Sequence, residues 1–214
     1  MSAPLLALDH LAILAPTLDE GVAYVEAALG LSMAGGGKHP EMGTHNRLLR
    51  LGDVYLEVIA IDPAAPAPKH RRWFGLDDAA FVRAEWDAGR RLRAWAARTD
   101  DLNGMLAARP SLGRALRASR GERTWRIAVP EDGNLPKHGL APTLLQWDPP
   151  GPPVGAMPDS GARLVSYALE TPEVERARKM LATFAVSPPP DILRGPVTTL
   201  SAWIETPTGM GELT

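Results

Sequence analysis

The chain has 214 residues, of which 45% are hydrophobic and 22% are charged, with a formal net charge of −2 at pH 7. This composition is typical of a globular protein with a sizeable core, and the balanced charge argues against a nucleic-acid partner. Cysteine is absent, which excludes disulfides and thiolate chemistry. A metal site would therefore need His, Asp, Glu or neutral oxygen ligands.

Targeting and cofactor motifs are equally scarce. No apolar run approaches the roughly 18 residues that span a bilayer, and residues 1–14 lack the basic start of a signal peptide. We therefore expect no membrane partner and a cytoplasmic protein. The glycine run 35–37 has no Lys-Ser or Lys-Thr pair after it, so it is no phosphate loop, and we expect no nucleotide cofactor.

Residues 1–62 predict a first βαβββ module. Thr17 and Glu20 form a capping box for a helix that Gly30 ends. The predicted elements, in chain order, are a buried strand over 5–14, a helix over 18–29, a short strand over 31–34, a glycine-rich loop over 35–43 and a β-hairpin over 43–62.

The hairpin turns at Gly52-Asp53, because glycine accepts the positive φ of a two-residue turn. This turn predicts the pairs Leu51–Val54, Arg50–Tyr55, Leu49–Leu56, Leu48–Glu57 and Asn46–Ile59. Side chains alternate between faces along a strand. One face is apolar and suits a helix: Leu49, Leu51, Val54, Leu56 and Val58. The other face holds Asn46, Leu48, Arg50, Tyr55, Glu57 and Ile59, with Asn46 diagonal to Glu57.

The pattern of a strand, a cap and a helix occurs twice more. The predicted segments are an inter-module segment over 63–91 with a helix from Asp77 or Asp78 to about residue 88, a second βαβββ module over 92–148, a Pro/Gly linker over 149–161, and a partial third βαββ unit over 162–214. Within them we predict strands over 92–97, 112–119, 122–130 and 142–148, with a turn at Arg120-Gly121. In the third unit we predict a helix with Pro172 at its first position and strands around 192–200 and 203–205.

These segments together predict an α+β fold. Two fused βαβββ modules would form paired curved mixed sheets with the helices outside, and the third unit would pack on the same domain. The modules could also pair between chains, which makes a homodimer one option.

In the first strand, His10 falls in phase with Leu8, Ala12 and Leu14, whereas Asp9 falls in the other phase with Leu11 and Ile13. The phase of Leu11 and Ile13 suits contact with the following helix. His10 would then face the concave side together with Glu57. Such a pair could hold a divalent metal with further ligands. The alternative is a His10–Glu57 hydrogen bond without a metal.

The motifs LDHLAI (residues 8–13), GTHNRLLRLGDVYLEVIA (residues 43–60) and RWFGLD (residues 72–77) resemble a glyoxalase-like domain of the vicinal oxygen chelate superfamily. The resemblance implies a cup-shaped site in which a divalent metal binds adjacent oxygens of a substrate and stabilises an enolate or oxyanion. Zn, Mn, Fe or Ni would suit such a role.

Position by position, the resemblance implies that His10 and Glu57 are metal ligands of the first module. In the second module, alignment of the motifs places Ala94 at the His10 position and Gln146 at the Glu57 position. Gln146 offers a neutral carbonyl as a third ligand. Glu57 could alternatively act as a general base, with Asn46 orienting it or a substrate oxygen; we take these two as the catalytic residues.

Substrate-binding candidates come from the hairpin and from tryptophans. Arg50 and Tyr55 share the Glu57 face, and Trp73 and Trp95 could line a cavity for a small molecule. The alternatives are that Arg50 is a solvated strand end and that the tryptophans are core residues. His45 falls on the opposite face of the hairpin and is a weak ligand candidate.

The leading hypothesis is a small-molecule enzyme of lyase, isomerase or dioxygenase type that acts on a compound with vicinal oxygens. The alternative hypothesis is a non-catalytic protein of the same fold that binds or sequesters a small molecule. The first would use the carboxylate of Glu57 for proton abstraction; the second would need the cavity alone.

Overall fold

A computed structural model describes residues 6–214, so the predicted start of the first strand at residue 5 lies outside the described residues. The first elements are β1 (Leu6–Leu14), α1 (Leu18–Leu29), β2 (Gly35–His39), β3 (Thr44–Leu51) and β4 (Val54–Ile61). They are followed by α2 (Ala79–Asp87), β5 (Leu92–Arg98), α3 (Leu102–Ala108), β6 (Arg114–Arg120), β7 (Arg123–Val129) and β8 (Thr143–Trp147). The last are β9 (Arg163–Thr171), α4 (Val174–Ala182), β10 (Val186–Ser187), β11 (Asp191–Arg194), β12 (Thr199–Thr206) and β13 (Gly209–Leu213).

The strands form two sheets. The larger has the order β2-β3-β4-β1-β5-β8-β7-β6, with β10 paired to the start of β1, and the smaller has the order β11-β9-β12-β13. β1 lies at the centre of the larger sheet, parallel to β4 and antiparallel to β5. The sheet is mixed and curved, and its two ends approach each other where Gly37 of β2 lies against Arg120 of β6. An α+β fold with curved mixed sheets and outer helices is thus confirmed.

The first helix and the hairpin form as their local signals predict. The Thr17 hydroxyl accepts a hydrogen bond from the Glu20 backbone N–H, and Gly30 ends α1 in the left-handed region at φ 65°. The hairpin turns at Gly52-Asp53, and every predicted cross-strand pair, including Leu48 with Glu57, is confirmed. Both features depend on residues close in sequence, which is why the sequence alone predicts them.

The larger sheet separates two apolar regions. On its outer face, the apolar side of the hairpin packs with α1, and residues of the smaller sheet such as Tyr167 and Leu200 join the same core. On its concave face lies a second cluster, which includes Trp73, Trp125 and Leu145. The ionisable groups described below lie on this concave side.

The predicted glycine-rich loop over 35–43 is wrong in its first half, because Gly35–His39 forms β2, paired with β3. The glycines serve a close approach rather than a loop. A Cβ at Gly36 would lie 2.1 Å from the carbonyl oxygen of Asn46, and Gly36 has φ 144°, a conformation that disfavours other residues. β2 therefore lies closer to β3 than a residue with a Cβ at position 36 would allow.

Smaller differences affect later elements. The β6–β7 hairpin pairs Arg120 with Arg123, so its turn is Gly121-Glu122 rather than Arg120-Gly121. Helix α4 begins at Val174 after Glu173, and Pro172 precedes it. After the helix of the third unit, two strands were predicted, whereas the structure has β11, β12 and β13 and also the two-residue β10. The predicted strand around residues 192–200 is divided because residues 195–198 interrupt the apolar run. Among the described residues, no helix is long and apolar enough to cross a membrane.

Candidate functional site

A β-bulge in β1 brings two ionisable side chains to the concave face. The pairing with β5 shifts between Leu8 and His10, so that Asp9 is the extra residue. Leu8 and Leu11 both contribute to the outer core despite their odd spacing, because a bulge changes the phase of a strand. Asp9, predicted on the face of Leu11, instead accepts hydrogen bonds from cavity side chains.

His10 lies between two carboxylates. Its Nδ1 is 2.7 Å from Asp9 Oδ1, and its Nε2 is 3.4 Å from Glu57 Oε2. Asp9 also accepts a hydrogen bond of 2.9 Å from the indole N–H of Trp147, and Arg98 lies 3.6 Å away. Side-chain exposure is 6% for His10, 0% for Asp9 and 7% for Glu57. The three groups therefore interact almost without solvent screening.

Asp9, at one end of this row of three interacting side chains, stays ionised. Burial raises the pKa of its carboxyl, but the hydrogen bond and charge of His10, the Trp147 hydrogen bond and the charge of Arg98 together hold it below 3.8. An ionised Asp9 can only accept, so it holds the His10 proton on Nδ1. The Nε2 atom then lies 3.4 Å from Glu57 Oε2, beside the cavity that both residues line.

Asn46 fixes the other oxygen of Glu57. Its Oδ1 accepts from the Gly37 backbone N–H at 2.9 Å, which identifies the remaining amide atom as Nδ2. Nδ2 lies 2.5 Å from Glu57 Oε1 and 3.3 Å from His39 Nε2. Every hydrogen-bonding atom of Asn46 is thus engaged within the protein. Asn46 was expected to be catalytic; its side chain contacts Glu57, His39 and Gly37 and is not among the residues that line the cavity described below.

His39 is a site residue that the sequence analysis missed. It is buried at the end of β2, and its Nδ1 lies 2.9 Å from the Thr44 hydroxyl. Because Asn46 donates to Nε2, the proton of His39 lies on Nδ1 and points to Thr44. Burial lowers the pKa of His39 to about 4, although the charge of Glu57 opposes this shift. The only available signal was the GGGKH stretch, read as a loop.

We expect His39 to remain neutral down to about pH 4. The pKa of His39 is 6.5 in the unfolded chain and about 4 in the folded protein. The unfolded chain therefore binds a proton at a higher pH than the folded protein, so the free energy of unfolding is highest above pH 6.5 and falls as pH drops from 6.5 towards 4. The loss is on the order of 3 kcal/mol. Urea unfolding of wild type and His39→Gln at pH 7.5, 6, 5 and 4 measures it. His39→Gln should flatten the profile over this range, whereas His70→Gln, at an exposed position, should not. An unchanged slope in His39→Gln would contradict the prediction.

The cavity beside these groups is narrow and aromatic. It is lined by His10, His39, Tyr55, Glu57, Trp73, Phe74, Arg120, Trp125, Ile127, Leu145 and Trp147. The space open to the centre of a water molecule is about 20 Å³, enough for about one water. Two wider clefts, of about 580 and 910 Å³, lie near residues 130–138. Within residues 6–214, none of the fully buried charged side chains lines either of them, so the narrow cavity is the candidate site.

Tyr55 and Trp73 line the cavity, as expected for substrate-binding residues. The Tyr55 ring stacks on His10 with 4.7 Å between centroids. Burial and the nearby carboxylates of Asp9 and Glu57 raise the pKa of its hydroxyl well above 10.0, so it remains a proton donor. Trp73 lies edge-on to His39, with 5.1 Å between ring centroids.

Trp95 and Arg50 lie away from the cavity beside His10 and Glu57, and Trp95 instead lines a separate apolar cleft of about 490 Å³. Trp95 is in the outer core, where its indole N–H donates to the Gly139 carbonyl. The cavity side of β5 carries alanines instead. Arg50 donates through Nε to the Gly52 carbonyl beside the hairpin turn, 2.9 Å away. His45, also excluded by the hairpin register, has its ring on the far side from Glu57 and is absent from the cavity lining.

Gln146 also differs from its expected position beside Glu57. Its Oε1 accepts hydrogen bonds from Arg126 and the Leu102 backbone N–H, and its Nε2 donates to the Asp100 carbonyl. Its neighbours along β8 face the cavity instead. The second module therefore presents apolar side chains where the first presents His10 and Glu57.

The donor set does not fit the metal site that the resemblance implies. His10 Nε2 and Glu57 Oε2 are the two ligating atoms that converge, and His39 Nε2 is occupied by Asn46. In the part of the chain from residue 6 to residue 214, no group of three His, Cys, Asp or Glu side chains could hold a metal ion. A catalytic zinc site uses about three protein ligands.

The sequence match identifies the family to which this curved mixed sheet belongs. Residues 8–185 match the family described as "Glyoxalase-like domain", and the chain belongs to this family. A comparison with curated proteins gives no match.

Among solved structures, the chain is similar to a hypothetical protein from Staphylococcus aureus, with 12% identity, a TM-score of 0.62, and coverage of 91% of this chain and 88% of that chain. It is also similar to methylmalonyl-CoA epimerase from Mycobacterium tuberculosis, with 17% identity, a TM-score of 0.44, and coverage of 73% and 97%. The Streptomyces coelicolor epimerase (Q60A) bound to 2-nitronate-propionyl-CoA has 21% identity, a TM-score of 0.40, and coverage of 66% and 97%. At these identities the likeness describes the fold.

Proposed function

We propose that this protein is an enzyme that moves a proton at a carbon next to a carbonyl group, in a small compound with vicinal oxygens. The observation that carries this proposal is the buried row of side chains Asp9–His10–Glu57, in which His10 lies between two carboxylates and which ends at a cavity. A fixed carboxylate beside an imidazole supplies both a base and an acid. The activity would be of isomerase or lyase type.

Glu57 would act as the base through Oε2, since Asn46 holds its other oxygen. In the reactive form Glu57 would be a carboxylate and His10 would carry a proton on Nε2 as well as on Nδ1. Oε2 takes a proton from the carbon, the C–H electron pair forms a C=C bond, and the carbonyl oxygen receives the proton of Nε2. The product is an enol, with a protonated Glu57 and a neutral His10. With a vicinal hydroxyl the enol is an enediol: protonated Glu57 would then give its proton to the neighbouring carbon, the hydroxyl on the first carbon would return its proton to His10 Nε2, and the carbonyl group would move by one position.

Asp9 would stabilise the imidazolium form of His10 before the transfer and orient its ring. Because, among residues 6–214, His10 and Glu57 alone offer converging ligand atoms, we assign the proton transfer to these side chains themselves. Tyr55, as a neutral phenol beside His10, would supply a further hydrogen bond to the oxygen on which charge develops.

Entry of a substrate requires movement of the side chains over the cavity, because the described space holds about one water molecule. Trp73 and Phe74 lie in a 3₁₀ turn (Trp73–Gly75) that covers the concave face, and Phe74 has φ 61° in the left-handed region. This conformation is uncommon for a bulky residue. The turn is thus the segment that would yield to a ligand.

Hydrogen–deuterium exchange tests the proposed activity. The protein is incubated in D₂O with hydroxyacetone and with pyruvate, and ¹H NMR follows loss of the signals from carbons next to the carbonyl. We expect wild type to accelerate the exchange of at least one compound over the buffer rate. Absence of acceleration across a panel of 2-oxo acids and hydroxyketones would contradict the proposal.

A second candidate is a non-catalytic binding protein, which the aromatic half of the cavity favours. Trp125, Trp147 and Leu145 give this half an apolar lining without a reactive group. Such a protein would bind compounds from the same panel, detected by tryptophan fluorescence, and would leave their exchange rates at the buffer value. Binding and exchange measured on the same samples therefore separate the two candidates.

A further inference from the structure

Arg120 is a cationic side chain at the cavity without an acidic partner. It lies at the end of β6, half-buried, and lines the cavity with Glu57 and Tyr55. Within residues 6–214, no Asp or Glu carboxylate lies at ion-pair distance from its guanidinium. A guanidinium in this position is available to a ligand.

The indole N–H of Trp73 is a second free donor at the same cavity. The side chain is 3% exposed, and its Nε1 has no hydrogen-bond partner among the described residues. Trp147, which also lines the cavity, differs because its indole N–H donates to Asp9. A buried donor without a partner is costly, and a ligand oxygen would satisfy it.

Glycine in β2 makes room for the Arg120 side chain. A Cβ at Gly37 would lie 2.8 Å from Arg120 Cγ and 3.1 Å from its Cδ. Gly37 has no positive φ, so its backbone accepts other residues and the constraint is the space that Arg120 fills. The absence of a side chain at Gly37 thus leaves room for the Arg120 side chain, which lines the cavity.

We propose that Arg120 and the Trp73 N–H bind a carboxylate of the substrate, which makes the substrate a small 2-oxo or 2-hydroxy carboxylic acid. The planar guanidinium matches a carboxylate with two parallel hydrogen bonds. The narrow cavity suits this small planar group. That the bound acid undergoes proton transfer rests on the proposed function, whereas the binding of its carboxylate does not.

A matched pair of probes tests the carboxylate. Pyruvate and butane-2,3-dione both carry vicinal oxygens and a methyl ketone, and only pyruvate is an anion. Each is titrated into the protein, and quenching of tryptophan fluorescence gives the dissociation constant. We expect pyruvate to bind more tightly than the dione. Arg120→Gln should weaken pyruvate binding about 10- to 100-fold and leave dione binding unchanged.

Three further variants sharpen the test. Arg117→Gln, the same charge change at an exposed position of β6, should leave both constants at the wild-type value. Trp73→Phe removes the N–H and should weaken pyruvate binding selectively. Gly37→Ala keeps every charge but displaces Arg120, and should weaken pyruvate binding about 3- to 10-fold; it provides the test should Arg120→Gln unfold.

Equal affinity of wild type for the two probes, or no binding of either, would overturn the inference, as would equal losses for both probes in Arg120→Gln. The exchange assay is independent of these outcomes. If pyruvate binds selectively and no compound of the panel exchanges, the carboxylate site is supported and the proposed enzyme activity is refuted. If Arg120→Gln leaves the exchange rate at the wild-type value, the enzyme activity is supported and the carboxylate site is refuted.

Discussion

Replacement of Glu57 by glutamine is expected to lower the catalysed exchange rate by about 10²- to 10⁴-fold, the usual contribution of a general base. The substitution preserves the local hydrogen bonds. The glutamine oxygen can accept from Asn46 as Oε1 does, and its amide can donate to the Nε2 lone pair of His10. The unfolding free energy should therefore change by less than about 1 kcal/mol. Exchange rates by NMR and urea unfolding measure the two quantities.

Two further variants are measured in the same exchange assay, one as a control and one as a test of the contact to Glu57. Glu212→Gln, at an exposed position in β13, removes a carboxylate far from the cavity and should leave the exchange rate unchanged. Asn46→Ser removes a positioning contact and should lower kcat about tenfold or more while KM changes little. A Glu57→Gln protein with the wild-type exchange rate would remove Glu57 from the role of base and refute the proposed mechanism.

The first half of the site follows from sequence because its geometry is local. A two-residue turn at Gly52-Asp53 determines every pair in the hairpin, and alternation then places Asn46 and Glu57 on one face. His10 follows from the need of Leu11 to face α1. These steps need no knowledge of distant segments, and the structure places the three side chains together.

The other half depends on phase relations between strands far apart in sequence. A shift of one residue reverses which side chains face the core, and the error at Gln146 is of this kind. Motif alignment preserves residue types but ignores such shifts. The bulge at Asp9 has the same origin, because the partner strand β5 defines the extra residue. Only the odd spacing from Leu8 to Leu11 signalled it.

β2 and Arg120 were missed for a different reason. Glycine has no side chain to show alternation, so GGGKH carries no strand pattern even though it pairs with β3. The contact between Gly37 and Arg120 joins the two ends of the larger sheet, which belong to different modules. Such a contact is defined by the curvature of the whole sheet, and no local pattern reports curvature.

Replacement of Asp9 by asparagine is expected to lower the exchange rate about 10²- to 10³-fold, although Asp9 faces the substrate only through His10. The asparagine oxygen can accept from Trp147, but its amide hydrogens then face His10 Nδ1. The His10 proton moves to Nε2, and the imidazolium loses its counter-charge. His10 is then a weaker partner for Glu57 in both directions of proton transfer. A His10 ¹⁵N spectrum reports the change of tautomer directly.

The stability of the Asp9 variants separates this effect from unfolding. Asp9→Ala leaves two buried donors without a partner and should cost about 3 kcal/mol, whereas Asp9→Asn should cost less. Because the pKa of Asp9 lies below 3.8 in the folded protein, its charge stabilises the fold above about pH 3.8, and this contribution is lost as pH falls through the folded-state pKa. The stability difference between wild type and Asp9→Asn should thus shrink below pH 3.8. A constant difference down to pH 2, or a wild-type exchange rate in Asp9→Asn, would show that Asp9 neither carries charge nor orients His10.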